Sequence, residues 1–189
     1  SRSGKKLLEL PEGAIVGTSS LRRTMGLKTL RPDLEIKQLR GNIHTRLRKL
    51  DEGQYDAILL AAAGLKRVGL RDRITEELDY DLMMPAPAQG ALHIQCREND
   101  EFVKNILKSI HNPEIEKIVE IEREFSKIFD GGCHTPMGCT GEKFDGKIFL
   151  RGVYCQDDIM YKAEVLEDEV LGKEIAHKLA AKIREKING

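Results

Sequence analysis

The chain has 189 residues, enough for one large or two small domains, and its 40% hydrophobic and 33% charged content is that of an ordinary soluble protein. No apolar run is long enough to cross a membrane, no signal peptide opens the chain, and four unevenly spaced cysteines make no disulfide framework, so a reducing cytoplasm is expected. The net charge of zero hides a polarity: residues 1–73 carry sixteen Lys/Arg against eight Asp/Glu, residues 74–189 fifteen against twenty-three. A basic first part suits a nucleic acid, an anionic surface or an anionic small molecule; the bland alternative is a solvated basic face. Aromatic residues make up only 5%, thin material for base-stacking platforms.

Residues 1–9 read as a linker. From there the pattern alternates strand and helix. Ala14 to Gly17 is a buried-strand candidate, and Thr18-Ser19-Ser20 offers cap side chains to a helix running from about Ser20 to Leu30, ended by Pro32. Glu35 to Leu39 is a second strand. Asn42 caps a second helix that closes near Gly53, with Ile43, Leu47 and Leu50 facing the core. Asp56 to Leu60 is a third strand, leading into a helix start at Ala61-Ala62-Ala63-Gly64. This βαβαβ order predicts a mainly parallel sheet with ligands at the carboxyl ends of its strands.

The cations fall at those ends. Arg22 and Arg23 lie in the first turn of the first helix, Arg40 and Arg46 bracket the start of the second, and Lys66 and Arg67 follow the third strand. Helix N-termini already favour anions, and the guanidinium fork pairs in a bidentate way with carboxylates or phosphates. Any one arginine is an ordinary surface residue. Three clusters after three strands of one sheet predict an anion site.

After Asp72 the pattern loosens. Residues 81–88, with two prolines, read as an extended connector, and 89–97 as a strand. Asn99 or Asp100 caps a helix reaching about Ile110. A helix from Pro113 to Phe129 carries Ile118, Ile121, Phe125 and Ile128 on one face. Residues 139–166 hold three strand candidates joined by hairpin turns at Asp145-Gly146 and Gln156-Asp157-Asp158, and a helix from about Glu169 to Ile187 closes the chain. The fold class is thus α/β plus α+β: the parallel-sheet domain, then a small domain of three antiparallel strands with helices on one face.

Between these parts lies Gly131-Gly132-Cys133-His134-Thr135-Pro136-Met137-Gly138. Two glycines free the backbone so that the Cys133 thiol can stand clear, which suits covalent attachment where cations raise its thiolate fraction; a buried cysteine in a Gly-rich turn is the alternative. Cys133, His134 and Cys139 supply at most a partial metal-ligand set, so no metal is expected.

Read together, Gly17-Thr18-Ser19-Ser20-Leu21-Arg22-Arg23, Leu39-Arg40-Gly41-Asn42 with Thr45-Arg46-Leu47, Ala63-Gly64-Leu65-Lys66-Arg67, Pro87-Ala88-Gln89-Gly90-Ala91 and Gly131-Gly132-Cys133 closely resemble the porphobilinogen deaminase (hydroxymethylbilane synthase) family. The motifs follow the family's order and approximate spacing almost from end to end. The resemblance implies a tetrapyrrole-pathway transferase that joins four porphobilinogen molecules head to tail with loss of ammonia. Growth takes place on a dipyrromethane cofactor held by a thioether to a cysteine, matched here by Cys133. The family's carboxylate-binding arginines match Arg22, Arg23, Arg40, Arg46 and Arg67, with Thr18, Ser19 and Ser20 supplying hydrogen bonds; Gly41, Asn42 and Gln89 lie in the matching motifs.

The same resemblance implies a first domain, periplasmic-binding-protein-like as is the second, that carries the catalytic aspartate and precedes the Gly17-Thr18-Ser19 motif. Nothing in these 189 residues matches it, so a fragment without the N-terminal domain is expected, with no catalytic residue of its own. Residues 10–84 then form the second domain, 85–112 a connector and a segment returning to the first domain, and 113–189 the C-terminal domain. The complete enzyme is expected to be monomeric and to bind neither membrane nor nucleic acid, while the fragment is expected to leave residues 88–110 uncovered and to self-associate. Two other classes make distinct predictions. A non-catalytic module for anionic small molecules binds a dicarboxylate without an adduct, and a nucleic-acid binder shows steeply salt-dependent affinity.

Overall fold

The computed structural model describes residues 1–130 and 135–189. Three short strands, β1 (Ile15–Gly17), β2 (Glu35–Lys37) and β3 (Ala57–Ile58), form a parallel sheet in the order β2-β1-β3. They alternate with helices α1 (Leu21–Leu30), α2 (Ile43–Asp51) and α3 (Ala62–Arg67). The second and third strands are shorter than expected. Single hydrogen bonds continue past the regular ladder, from Leu39 N to Thr18 O (3.3 Å) and from Leu59 N to Gly17 O (3.1 Å), but the chain is already turning toward the helix starts. Ser20 accepts from Arg23 N and Asn42 from Thr45 N, so both predicted caps are in place.

The core of this part is Leu7, Leu10, Ala14, Val16, Leu27, Leu34 and Ala57. Residues 1–9, expected as a linker, are therefore tied down. Leu7 is buried, Arg2 N donates to Asp56 O at 2.8 Å, and Arg31 donates to the carbonyls of Leu7, Leu8 and Leu10 while its fork holds Asp33.

Three longer strands make the second sheet, antiparallel in the order β4-β5-β6: β4 (Met137–Phe144), β5 (Lys147–Gln156) and β6 (Ile159–Asp168). Asp145-Gly146 and Asp157-Asp158 all have positive φ, as two-residue hairpin turns that match strand twist require. Helices α5 (Pro113–Ile128) and α6 (Glu174–Asn188) pack on one face around Ile121, Phe125, Cys139, Ile148, Leu150, Leu179 and Ile183. The buried face of α5 is Val119, Ile121, Glu122 and Phe125, so Ile118 and Ile128 are flank residues rather than core. The last helix starts later than expected: a 3-10 turn at Glu169–Leu171 runs into Gly172 at φ 51°, which breaks the helical path before Glu174.

The other face of this sheet is not bare. α1 packs against β6, and the connector after residue 80 runs along β4. Gly138 allows that approach, because a Cβ there would stand 2.6 Å from Pro85 O. Both edges of this sheet are partly covered. On β4, Cys139 N donates to Pro85 O at 3.0 Å and Gly141 N to the Glu122 carboxylate at 2.8 Å. On β6, Lys182 Nζ donates to Glu164 O and Lys186 Nζ to Lys162 O, blunting an edge that would otherwise template pairing.

The strand expected at 89–97 is absent. Residues 91–97 form no regular structure: a strand needs a partner edge, and this stretch pairs with neither sheet. The short helix α4 (Glu101–Lys108), capped by Asp100, follows. Across this stretch Leu92, Ile94, Phe102, Ile106 and Ile110 are all exposed, Leu92 and Phe102 at 77%.

Candidate functional site

The carboxyl ends of β1 and β2 and the N-termini of α1 and α2 meet at one rim of the parallel sheet. Thr18, 4% exposed, donates its N–H to Lys37 O (3.0 Å), and its hydroxyl accepts from Ser20 N (3.3 Å). This fixes the turn that delivers Arg22 and Arg23 into the first turn of α1. Ser19 is exposed and Ser20 is consumed as the cap.

Arg22 is 9% exposed. Its Nη1 donates to Met84 O and its Nη2 to Gln89 Oε1 at 3.1 Å. Burial and the neighbouring Arg23 push its pKa down to about 10, still well above neutrality. Arg23 donates to Leu59 O at 3.0 Å, and burial together with the Arg46 charge lowers its pKa as well. Arg46 donates its Nε to Gly41 O at 2.7 Å. Arg22, Arg23 and Arg46 therefore stand as a set of mutually repelling cations. Among the described residues none of the three takes part in an ion pair; their acceptors are carbonyls and one amide.

Arg40 is exposed and packs its guanidinium on Gln38, whose amide oxygen, turned toward it, accepts from Nε (3.2 Å) and Nη2 (3.0 Å). Gly41, at φ 121°, turns the chain into the Asn42 cap. Arg67 is exposed in the last turn of α3, and no observed contact joins it to the other arginines. Of the predicted residues, the structure thus brings together Thr18, Ser20, Arg22, Arg23, Arg46 and Gln89, with Arg40, Gly41 and Asn42 at the adjoining helix start. Cys133 and His134 lie outside the described residues. No group of three or more His, Cys, Asp or Glu among the described residues is arranged to hold a metal.

Sequence reasoning missed Glu122. Its carboxylate, 7% exposed, accepts from Ala88 N at 2.5 Å and from Gly141 N at 2.8 Å. Burial raises its pKa against the pull of those two N–H groups. It also raises the buried Cys139 thiol, already pushed up by its own burial, so Cys139 is an inert core residue. The signal was available: an acid within the apolar stripe of α5, one residue from Ile121 and three from Phe125. Ala88 takes φ 61°, a left-handed conformation that costs a non-glycine residue about 1–2 kcal/mol, so the surrounding bonds hold it there.

An arginine cluster on an α/β rim next to a small α+β unit agrees with the comparisons to known proteins. Residues 1–105 match the family model described as porphobilinogen deaminase, dipyromethane cofactor binding domain, and residues 117–188 match porphobilinogen deaminase, C-terminal domain. A porphobilinogen deaminase of Fusobacterium nucleatum is 64% identical over 181 residues, which cover 96% of this chain and 61% of that protein. One from Syntrophobacter fumaroxidans is 47% identical over 158 residues (84% and 51%), and one from Carboxydothermus hydrogenoformans 41% identical over 193 (99% and 62%). The chain spans between 51% and 62% of the length of these relatives. With both family models matched in order and nearly all of its residues aligned, this chain belongs to the porphobilinogen deaminase family.

Proposed function

We propose that the chain is the cofactor-holding part of a cytoplasmic porphobilinogen deaminase, a transferase of tetrapyrrole (porphyrin and heme) biosynthesis. The observation that carries this reading is the gathering of Arg22, Arg23 and Arg46 without an ion-paired carboxylate among the described residues. Clustered guanidinium groups repel one another and are stabilised when anions enter; the acetate and propionate arms of pyrroles supply planar carboxylates for bidentate pairing. Arg22 and Arg23 hold the inner carboxylates from the first turn of α1, and Arg46 and Arg40 the outer ones from the start of α2; Arg67, exposed at the end of α3, stands apart from this set and would meet only a longer bound chain. Thr18, Ser19, Ser20, Gly41 and Asn42 shape the turns, and Gln89 steadies Arg22. A dipyrromethane held by a thioether to Cys133 fits such a cradle; when bound, it supplies the anchored end on which four porphobilinogen units are joined with loss of ammonia.

The same reading divides the chain after residues 84 and 112, with 1–9 packed on the second domain, gives that domain a periplasmic-binding-protein-like fold, and returns residues 85–112 to a further domain. Proton handling during condensation needs a carboxylate near the reacting nitrogen. None is seen within the arginine cluster among the described residues, so the 189-residue chain alone is proposed to be silent. That same observation favours a second reading, a non-catalytic module for anionic small molecules. Intact-mass measurement separates the two. The first reading expects one dipyrromethane adduct on chain produced with its cofactor, kept in Cys155→Ser and lost in Cys133→Ser. An adduct that survives Cys133→Ser contradicts the attachment site; dicarboxylate binding with no adduct under any condition supports the module.

A further inference from the structure

We infer that Glu122 is a positioning residue for the arginine site: its two carboxylate oxygens clamp the loop carrying Gln89 onto β4, and through Gln89 set where the Arg22 guanidinium points. The inference rests on the reading of that site as a carboxylate cradle. Gly141 N donates to Oε1 at 2.8 Å and Ala88 N to Oε2 at 2.5 Å, so one side chain from α5 bridges a strand and a loop. On the next residue, Gln89 Oε1 accepts from Ala86 N (3.0 Å) and from Arg22 Nη2 (3.1 Å). Arg22 completes the path by donating to Met84 O, while Pro85 O accepts from Cys139 N at 3.0 Å. Ties to the C-terminal unit at residues 85 and 88 are thus bracketed by ties to Arg22 at 84 and 89.

Both groups facing Glu122 are N–H donors, and only an ionised carboxylate offers two acceptors with no donor. Glutamine, or a protonated glutamic acid, would turn a donor toward one of them. Glu122 is buried and has no cation partner among the ion pairs of the described residues, so neither solubility nor ion pairing accounts for an acid there. Two backbone amides that must be held together do account for it.

The test uses the 189-residue chain and Glu122→Met, which keeps the volume and removes both acceptors. The expected result is amide hydrogen exchange at Ala88 faster by about tenfold or more relative to Leu150 in the core of β5, with a displaced Arg22 Nε–H resonance and weaker porphobilinogen binding. Glu122→Asp, which keeps both acceptors, should restore part of each. A purely structural role predicts instead that Ala88 and Leu150 accelerate together while the Arg22 resonance stays in place, and that result overturns the inference. If the unsubstituted chain fails to bind porphobilinogen, the proposed function falls, but exchange and the Arg22 resonance still decide the role of Glu122. If Glu122→Met does not fold, the unsubstituted chain decides: Ala88 exchanging at the rate of an unstructured peptide overturns the clamp, and strong protection supports it.

Discussion

The two sheets of this chain solve opposite problems. The parallel sheet has strands of two and three residues, and its carboxyl rim holds three close arginines whose acceptors are carbonyls and an amide. The antiparallel sheet has strands of eight to ten residues, a core of fully buried aliphatic and aromatic side chains, and partly covered edges. Like charges in the first are an electrostatic cost that a bound anion would offset; the core of the second carries no such cost. Residues 84–89 lie between them, bonded to both. The arginine-bearing half is therefore expected to be the softer one, stiffened by any anion it takes up and by the sturdier half behind it.

The largest effect expected is in the sturdy half. Phe125→Ala empties a fully buried ring site between α5, β5 and α6, and should cost about 3–5 kcal/mol in urea unfolding. A loss below that of an exposed site would mean the C-terminal core is not the stable unit. At the junction, Gly138→Ala puts a Cβ 2.6 Å from Pro85 O, so the connector must shift, at about 1–3 kcal/mol. The sharper readout there is Ala88 exchange, which should rise with it. On the binding rim, Arg46→Lys keeps the charge and loses the fork, so calorimetric affinity for porphobilinogen should drop by about 1–2 kcal/mol with little change in stability. Lys182→Ala with Lys186→Ala should change stability by less than about 1 kcal/mol, yet uncover the β6 edge and increase self-association in sedimentation. Smallest of all is Phe102→Ser: a side chain 77% exposed should leave the melting of this chain unchanged within about 0.5 kcal/mol.

What was legible in the sequence was what short-range chemistry writes. Ser20, Asn42 and Asp100 cap the helices they were expected to cap, because a cap needs only its own next three residues. Asp145-Gly146 and Asp157-Asp158 likewise sit in the turns their dipeptides specify. The run 89–97 failed because a strand is a property of a pair: its alternating Leu92 and Ile94 read as strand, but they pair with neither sheet. Residues 1–9 failed in the other direction, since their polar composition hid Leu7 and the carbonyls that Arg31 gathers across more than twenty residues. At the site, spacing along the chain located the arginines. An acid in the apolar stripe of α5 was visible there too, but not the role of Glu122, which Ala88 and Gly141 set from 34 and 19 residues away.

The central claim is that Arg22, Arg23 and Arg46 form one carboxylate cradle. Titrating porphobilinogen into chain labelled on its arginine side chains, followed by NMR of the Nε–H groups, tests it most directly. The account predicts saturable shifts at Arg22, Arg23 and Arg46, with Arg151 and Arg184, on the opposite unit, unmoved. Shifts confined to Arg151 and Arg184, or no saturable shift at the three rim arginines, would contradict it.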